Sequence, residues 1–280
     1  MRELRLVLLG LAAIIALVLG AAFLMRAFKT ESRVAPTALT EPATSTLATA
    51  PLRSALSPAA LSTARAAVER AIADTPDYAR FFDRLRLAFP GDYDSIMNTL
   101  AAASQGRDVS VDNVMADAVA ALRHTHGTLA AKAPDDALAR IFALQLAEMR
   151  ALADSDAHLC VAFLYGAEVP GFLTFAADHR PLVADAAIAG LDAMSGGRMN
   201  GVERSAPTDT DFQTLDHALV DKGLTRPEID ALLDGKTPEP PIADPTMCAA
   251  SQTYLTTLAG LPAEVRARLY SLAVDLMAKS

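Results

Sequence analysis

The sequence has no tryptophan, only two cysteines among 280 residues, and an aromatic content of 5%. Without tryptophan the tetratricopeptide signature is absent, and no fixed repeat period appears elsewhere in the chain. Two cysteines allow at most one intrachain bridge. The motifs GxSxG, HExxH, GxxxxGK[ST] and GxGxxG are all missing, so Gly196, Gly197 and Gly201 form no phosphate cradle. Basic charge is scarce where it would matter most. Residues 57–280 carry 19 Lys and Arg against 30 Asp and Glu, a net charge of about −11. Such a surface repels phosphate backbones and anionic headgroups, and no basic stripe with interleaved aromatics offsets it, so nucleic-acid binding is not expected.

What the chain does have is one long apolar run. From Leu6 to Met25 there is neither charge nor proline. About twenty helical residues at 1.5 Å rise match a hydrocarbon core of roughly 30 Å. Signal-peptide apolar regions usually stop at about 7 to 15 residues, so a retained anchor over 1–28 is favoured, although Gly20-Ala21-Ala22 offers small residues where a peptidase could cut. A lipid anchor lacks its attachment atom, because the first cysteine is Cys160. Charge hardly decides orientation: Arg2 and Arg5 face Arg26, Lys29 and Arg33. The linker and the cysteine pair place the amino terminus inside and the remainder on the outer, periplasmic side of a cytoplasmic membrane. Ala12, Ala16 and Gly20 fall four apart and form a stripe through which two anchors could associate, though alanine is common enough here for such a stripe to arise by chance.

Residues 29–56 are rich in Thr, Ala and Pro, with few bulky apolar side chains and no periodicity. A segment that buries so little cannot offset its ordering entropy, so it reads as a flexible tether of about 30 Å mean span. The rest, 57–280, reads as an all-α domain of about nine or ten helices with no regular repeat. Ser57-Pro58 and Thr75-Pro76 each place a capping hydroxyl before a first-turn proline. Pro90-Gly91 reads as a break, with a helix from about Asp92 to Ser104. Apolar residues then recur at helical spacing from Val111 to Leu129 and from Leu138 to Leu152. HLCVAFLYG, 158–166, is a buried helix for want of any strand partner. A segment from about Phe172 to Met194 follows, with His179-Arg180-Pro181 as a helix restart inside it, then an irregular loop from Gly196-Gly197 to Asp209. Thr225 with Glu228 forms a capping box, 235–245 is a loop, and two helices from Thr246 and Pro262 close the chain.

Chemistry has few candidates. In an oxidising compartment Cys160 and Cys248 are expected to pair. The alternatives are a nucleophilic Cys160 near His158, disfavoured because residues two apart on a helix point about 200° apart, and two free buried thiols. Asp154 and His158 stand at i, i+4, a spacing that could hold a cation, although a helix boundary capped by Asp154 or Ser155 explains the same residues. His124 and His126 lie two apart and read as a solvated helix face rather than a metal pair. Glu148, with Gln145 and Arg150 nearby, reads as a solvated or paired helix edge. No cofactor or metal is called for. The expectation is a membrane-tethered, non-enzymatic interaction module with a protein partner in the envelope. The alternative is an envelope hydrolase using Asp154, Asp156, His158 or Glu148.

Overall fold

A computed structural model describes residues 57–104, 109–166 and 169–279. They form twelve helices and no strand, more helices than the nine or ten expected. The apolar run at 6–25 and the linker at 29–56 lie outside the described residues. Among those described, no helix is long and apolar enough to cross a membrane.

Three helices open the fold: α1 (Pro58–Ala73), α2 (Pro76–Ala88) and α3 (Pro90–Ala103). Each begins on proline, whose fixed φ suits the first turn and whose missing N–H has no partner there anyway. Ser57 Oγ accepts the Ala60 N–H at 3.2 Å as a cap. Thr75 does not cap, because its hydroxyl turns back to donate to the Ala71 carbonyl at 3.2 Å. Pro90-Gly91 is the first turn of α3 rather than a break, since a proline at that position starts a helix as readily as it stops one.

The centre is built from α4 (Val111–Ala130), α5 (Asp135–Ser155) and α8 (Arg180–Met199), with α8 packed against both α4 and α5. Between them in sequence come the short α6 (Ala157–Tyr165) and α7 (Gly171–Asp178). The segment from Phe172 divides at His179, where His179-Arg180-Pro181 restarts the helix as expected of a proline in the first turn, and the His179 ring stacks on Phe175 at 4.3 Å. Helices α9 (Asp209–Asp221), α10 (Arg226–Asp234), α11 (Asp244–Ala259) and α12 (Ala263–Lys279) complete the chain. The α1–α3 layer leans on the centre through α2 against α8, whereas α11 lies against α5 and α6, and α12 against α4 and α5. One apolar cluster runs through all of this, with Phe142 of α5 stacked on Tyr270 of α12 at 3.9 Å.

Gly196 and Gly197 belong to the last turn of α8, not to a loop. A Cβ on Gly197 would sit 1.9 Å from the Leu129 carbonyl oxygen, so the glycine is there because α8 crosses the end of α4 at backbone contact. The irregular part, 200–208, is clamped onto the α4–α5 turn. The Arg204 guanidinium, nearly buried, donates to the Ala133 carbonyl at 2.7 Å and to the Ala131 carbonyl and the Asp135 carboxylate. Two further polar nodes join helices. Arg180 grips Asp112 with two hydrogen bonds, at 2.8 and 3.0 Å, and Tyr78 OH adds a third at 2.9 Å. Asp211 takes the Thr208 N–H at 2.7 Å and two N–H groups of Arg268, tying α9 to α12.

Candidate functional site

The acid and imidazole candidates of residues 148–158 do not assemble. The chain turns between α5 and α6, and Asp156, in extended conformation, is the residue at that turn; its carboxylate caps α6 by accepting the His158 N–H at 2.8 Å. The cap is thus Asp156 rather than Asp154 or Ser155. Asp154 and His158 stand on different helices, so the i, i+4 geometry that could have held a cation does not exist. His158 instead places Nδ1 2.9 Å from Asp244 Oδ2, linking α6 to the start of α11. Among the described residues no group of three or more His, Cys, Asp or Glu could hold a metal. His124 is exposed as expected, whereas His126 is half-buried, with Nε2 3.0 Å from Asp92 and its ring stacked on Phe89 at 4.7 Å.

Glu148 departs most from the reading of the sequence. It is no solvated edge: only 2% of it is exposed, and Oε2 has no hydrogen-bond partner. Burial in apolar surroundings pushes its carboxyl well above the usual range. Gln145, one turn earlier, is also buried with Oε1 unpartnered. Periodicity could not reveal this, because Gln145 and Glu148 occupy positions i, i+3 on the same face as Phe142 and Leu152 and interrupt an apolar stripe that α5 nonetheless buries.

Cys160 and Cys248 are joined in a disulfide with Cα atoms 5.8 Å apart, both residues being buried. The nucleophile and free-thiol alternatives fall away together. Pairing was legible from the count of two; the placement was not. The bridge fastens α6 to α11, and Cys248 also forms part of a cleft of about 520 Å³ beside it.

Polar groups converge in that cleft. Its walls are Arg150 and Ala153 of α5, Ala157 at the start of α6, Lys222 just after α9, and a face of α11 from Pro245 to Thr257. The α11 face carries Gln252, Thr253, Thr256 and Thr257, and the Gln252 amide donates to Cys248 Sγ at 3.4 Å. Neither carboxylate nor imidazole lines it. Sequence reading passed over Arg150 as a neighbour of Glu148, yet two residues of helix send the two side chains apart, one into the core and the other, exposed, to the cleft. Lys222 could not be linked to Arg150 before the fold was known, being 72 positions away; the closely spaced threonines of α11 were the only local signal.

No family model matches the chain, and neither a curated protein nor a solved structure does.

Proposed function

We propose that the chain is a membrane-tethered, non-enzymatic helical module that acts by protein contact on the outer side of the cytoplasmic membrane, as an accessory subunit, an inhibitor or an immunity-type binder. The observation that carries the reading is the dispersal of the acid and base candidates: Asp156 is spent on a helix cap, His158 on Asp244, and Glu148 is buried in the core, away from the cleft. General acid/base catalysis needs such groups converging on one accessible point. The cleft nearest to them has no titratable acid or imidazole in its lining. The disulfide between two buried cysteines agrees with an oxidising compartment, and the apolar run at 6–25 supplies the tether.

The test is in-cell photocrosslinking of the full-length protein, purified in detergent and resolved by mass spectrometry, with hydrolase assays on cell-wall and peptide substrates run in parallel. One discrete protein adduct, lost when the crosslinker is moved to another face, supports the reading. Turnover that disappears in Glu148→Gln or His158→Gln overturns it in favour of the hydrolase. Sidedness is tested by reporter fusions after residue 56, where activity of a cytosol-only reporter reverses the proposed topology.

A further inference from the structure

We infer that the cleft between α5, α6 and α11 is a binding site for a small ligand bearing a carboxylate or phosphate group, held by Arg150 and Lys222. The argument begins with charge. In a domain with 30 acids and 19 bases, cations are readily taken, and most described ones are engaged by a carboxylate or a backbone carbonyl. Among the described residues Arg70, Arg140, Arg150 and Lys222 have neither an ion pair nor a side-chain hydrogen bond. Two of these four line the same cleft, and no acid lines it with them. The acids nearest in sequence are held elsewhere or stay out: Asp156 caps α6, Asp244 pairs with His158, and Asp154 and Asp221 are exposed and form no part of the lining.

Thr257 is an independent sign. Threonines inside helices commonly donate their hydroxyl to the carbonyl four residues back, and Thr253 and Thr256 do so, to Ala249 at 3.0 Å and Gln252 at 2.8 Å. Thr257 does not: it is 5% exposed, lines the cleft, and its Oγ1 has no partner. A buried hydroxyl left unpaired is costly, and a ligand oxygen accepting from it would recover that cost. The volume of about 520 Å³ falls in the range of small-ligand sites, and Ala153, Ala157, Ala249 and Pro245 give the ligand an apolar wall. Arginine presents a fork of donors that suits planar carboxylate and tetrahedral phosphate alike, and lysine adds a point charge. The domain as a whole repels anions, but screening confines that repulsion to about 10 Å, inside which the two unpaired cations dominate.

The inference stands apart from the protein docking proposed above, because its probes are small ions and no partner protein is present. Full-length protein in detergent is titrated calorimetrically with inorganic phosphate, with N-acetyl-Ala-Ala, and with the amide of that dipeptide, at constant ionic strength in chloride. Saturable one-site binding of phosphate or of the free carboxylate, and none of the amide, is expected. Phosphate alone or dipeptide alone tells which source the site takes. The double variant Arg150→Gln, Lys222→Gln weakens binding at least tenfold and Thr257→Val severalfold, whereas Arg70→Gln with Arg140→Gln leaves it unchanged. Both cations are exposed, so circular dichroism of the variants should match the parent. No saturable binding of either anion up to about 10 mM, equal binding of the amide, or an equal loss in the Arg70 and Arg140 pair overturns the assignment.

Discussion

Reduction of the Cys160–Cys248 bridge is expected to lower the stability of the folded part by about 4 to 5 kcal/mol. The bridge spans 88 positions, and the chain-entropy cost of holding so long a loop closed in the unfolded state gives that figure. Both cysteines are buried, and reduction exchanges one S–S bond for two thiols of nearly equal volume, so core packing changes little and the effect sits mainly in the unfolded ensemble. Set against a usual total of 5 to 15 kcal/mol, this is about a quarter or more of the stability.

Urea unfolding of the full-length protein in detergent, followed by far-ultraviolet circular dichroism with and without reductant, measures it. With a slope near 3 kcal/mol/M, the upper end for small proteins, the midpoint falls by about 1.5 M on reduction. The slope itself rises, because the unlinked chain opens further and exposes more surface. A protease cut in the loop between α10 and α11 gives a second readout. It lies between the two cysteines, so the fragments stay together without reductant and separate with it. A midpoint that moves by less than about 0.3 M, or two alkylatable thiols in denatured, unreduced protein, would refute the linkage.

Three other perturbations have definite signs. Gly197→Ala drives a Cβ into the Leu129 carbonyl and is expected to destabilise by roughly 3 kcal/mol or more, whereas Gly190→Ala, in the same helix with nothing within 4 Å, stabilises by about 0.5 to 1 kcal/mol; thermal unfolding of the pair checks both. Arg268 donates to Asp211 and holds its carboxyl at about 2, below the ordinary 3.8, a difference of roughly 2 kcal/mol. Because that pKa is depressed in the folded state, the stability is fully present above about pH 4 and is lost as pH falls towards 2; Arg268→Gln therefore costs stability at pH 7 and converges with the parent in acid. Glu148 has the opposite sign. Its carboxyl is raised by burial, so the folded state keeps a proton that the unfolded chain releases above its ordinary 4.5, and stability declines as pH rises. Glu148→Gln is expected to raise the unfolding midpoint at pH 7 with the gain vanishing by about pH 4, and a lower midpoint at pH 7 would mean that the carboxylate is charged and paired.

The helical class was legible because its signals are local. First-turn prolines at Pro58 and Pro76, the apolar period from Leu138 to Leu152 and the Thr225–Glu228 pair each act within one or two turns, and Glu228 does accept the Thr225 N–H at 2.6 Å. The misreadings concern residues whose role depends on distant partners. Gly196-Gly197 looks like a loop until α4 is placed against it, and only then does the missing Cβ read as clearance for Leu129. Glu148 looks solvated until α5 is seen to bury that face. Capping follows the same logic: of the acids at 154–156, only Asp156 has the extended backbone a cap requires, and that angle is set by the turn between two helices rather than by residue type. The cleft was the least legible feature, since Arg150, Lys222 and Thr257 belong to separate segments and none follows a recognisable spacing. The disulfide helps bring these segments together. It fixes α11 to α6 on the flank of α5, and that fixing sets the threonine face of α11 across from Arg150. Reduction should therefore weaken anion binding at urea concentrations too low to unfold the chain, which couples the redox state of the bridge to the occupancy of the cleft.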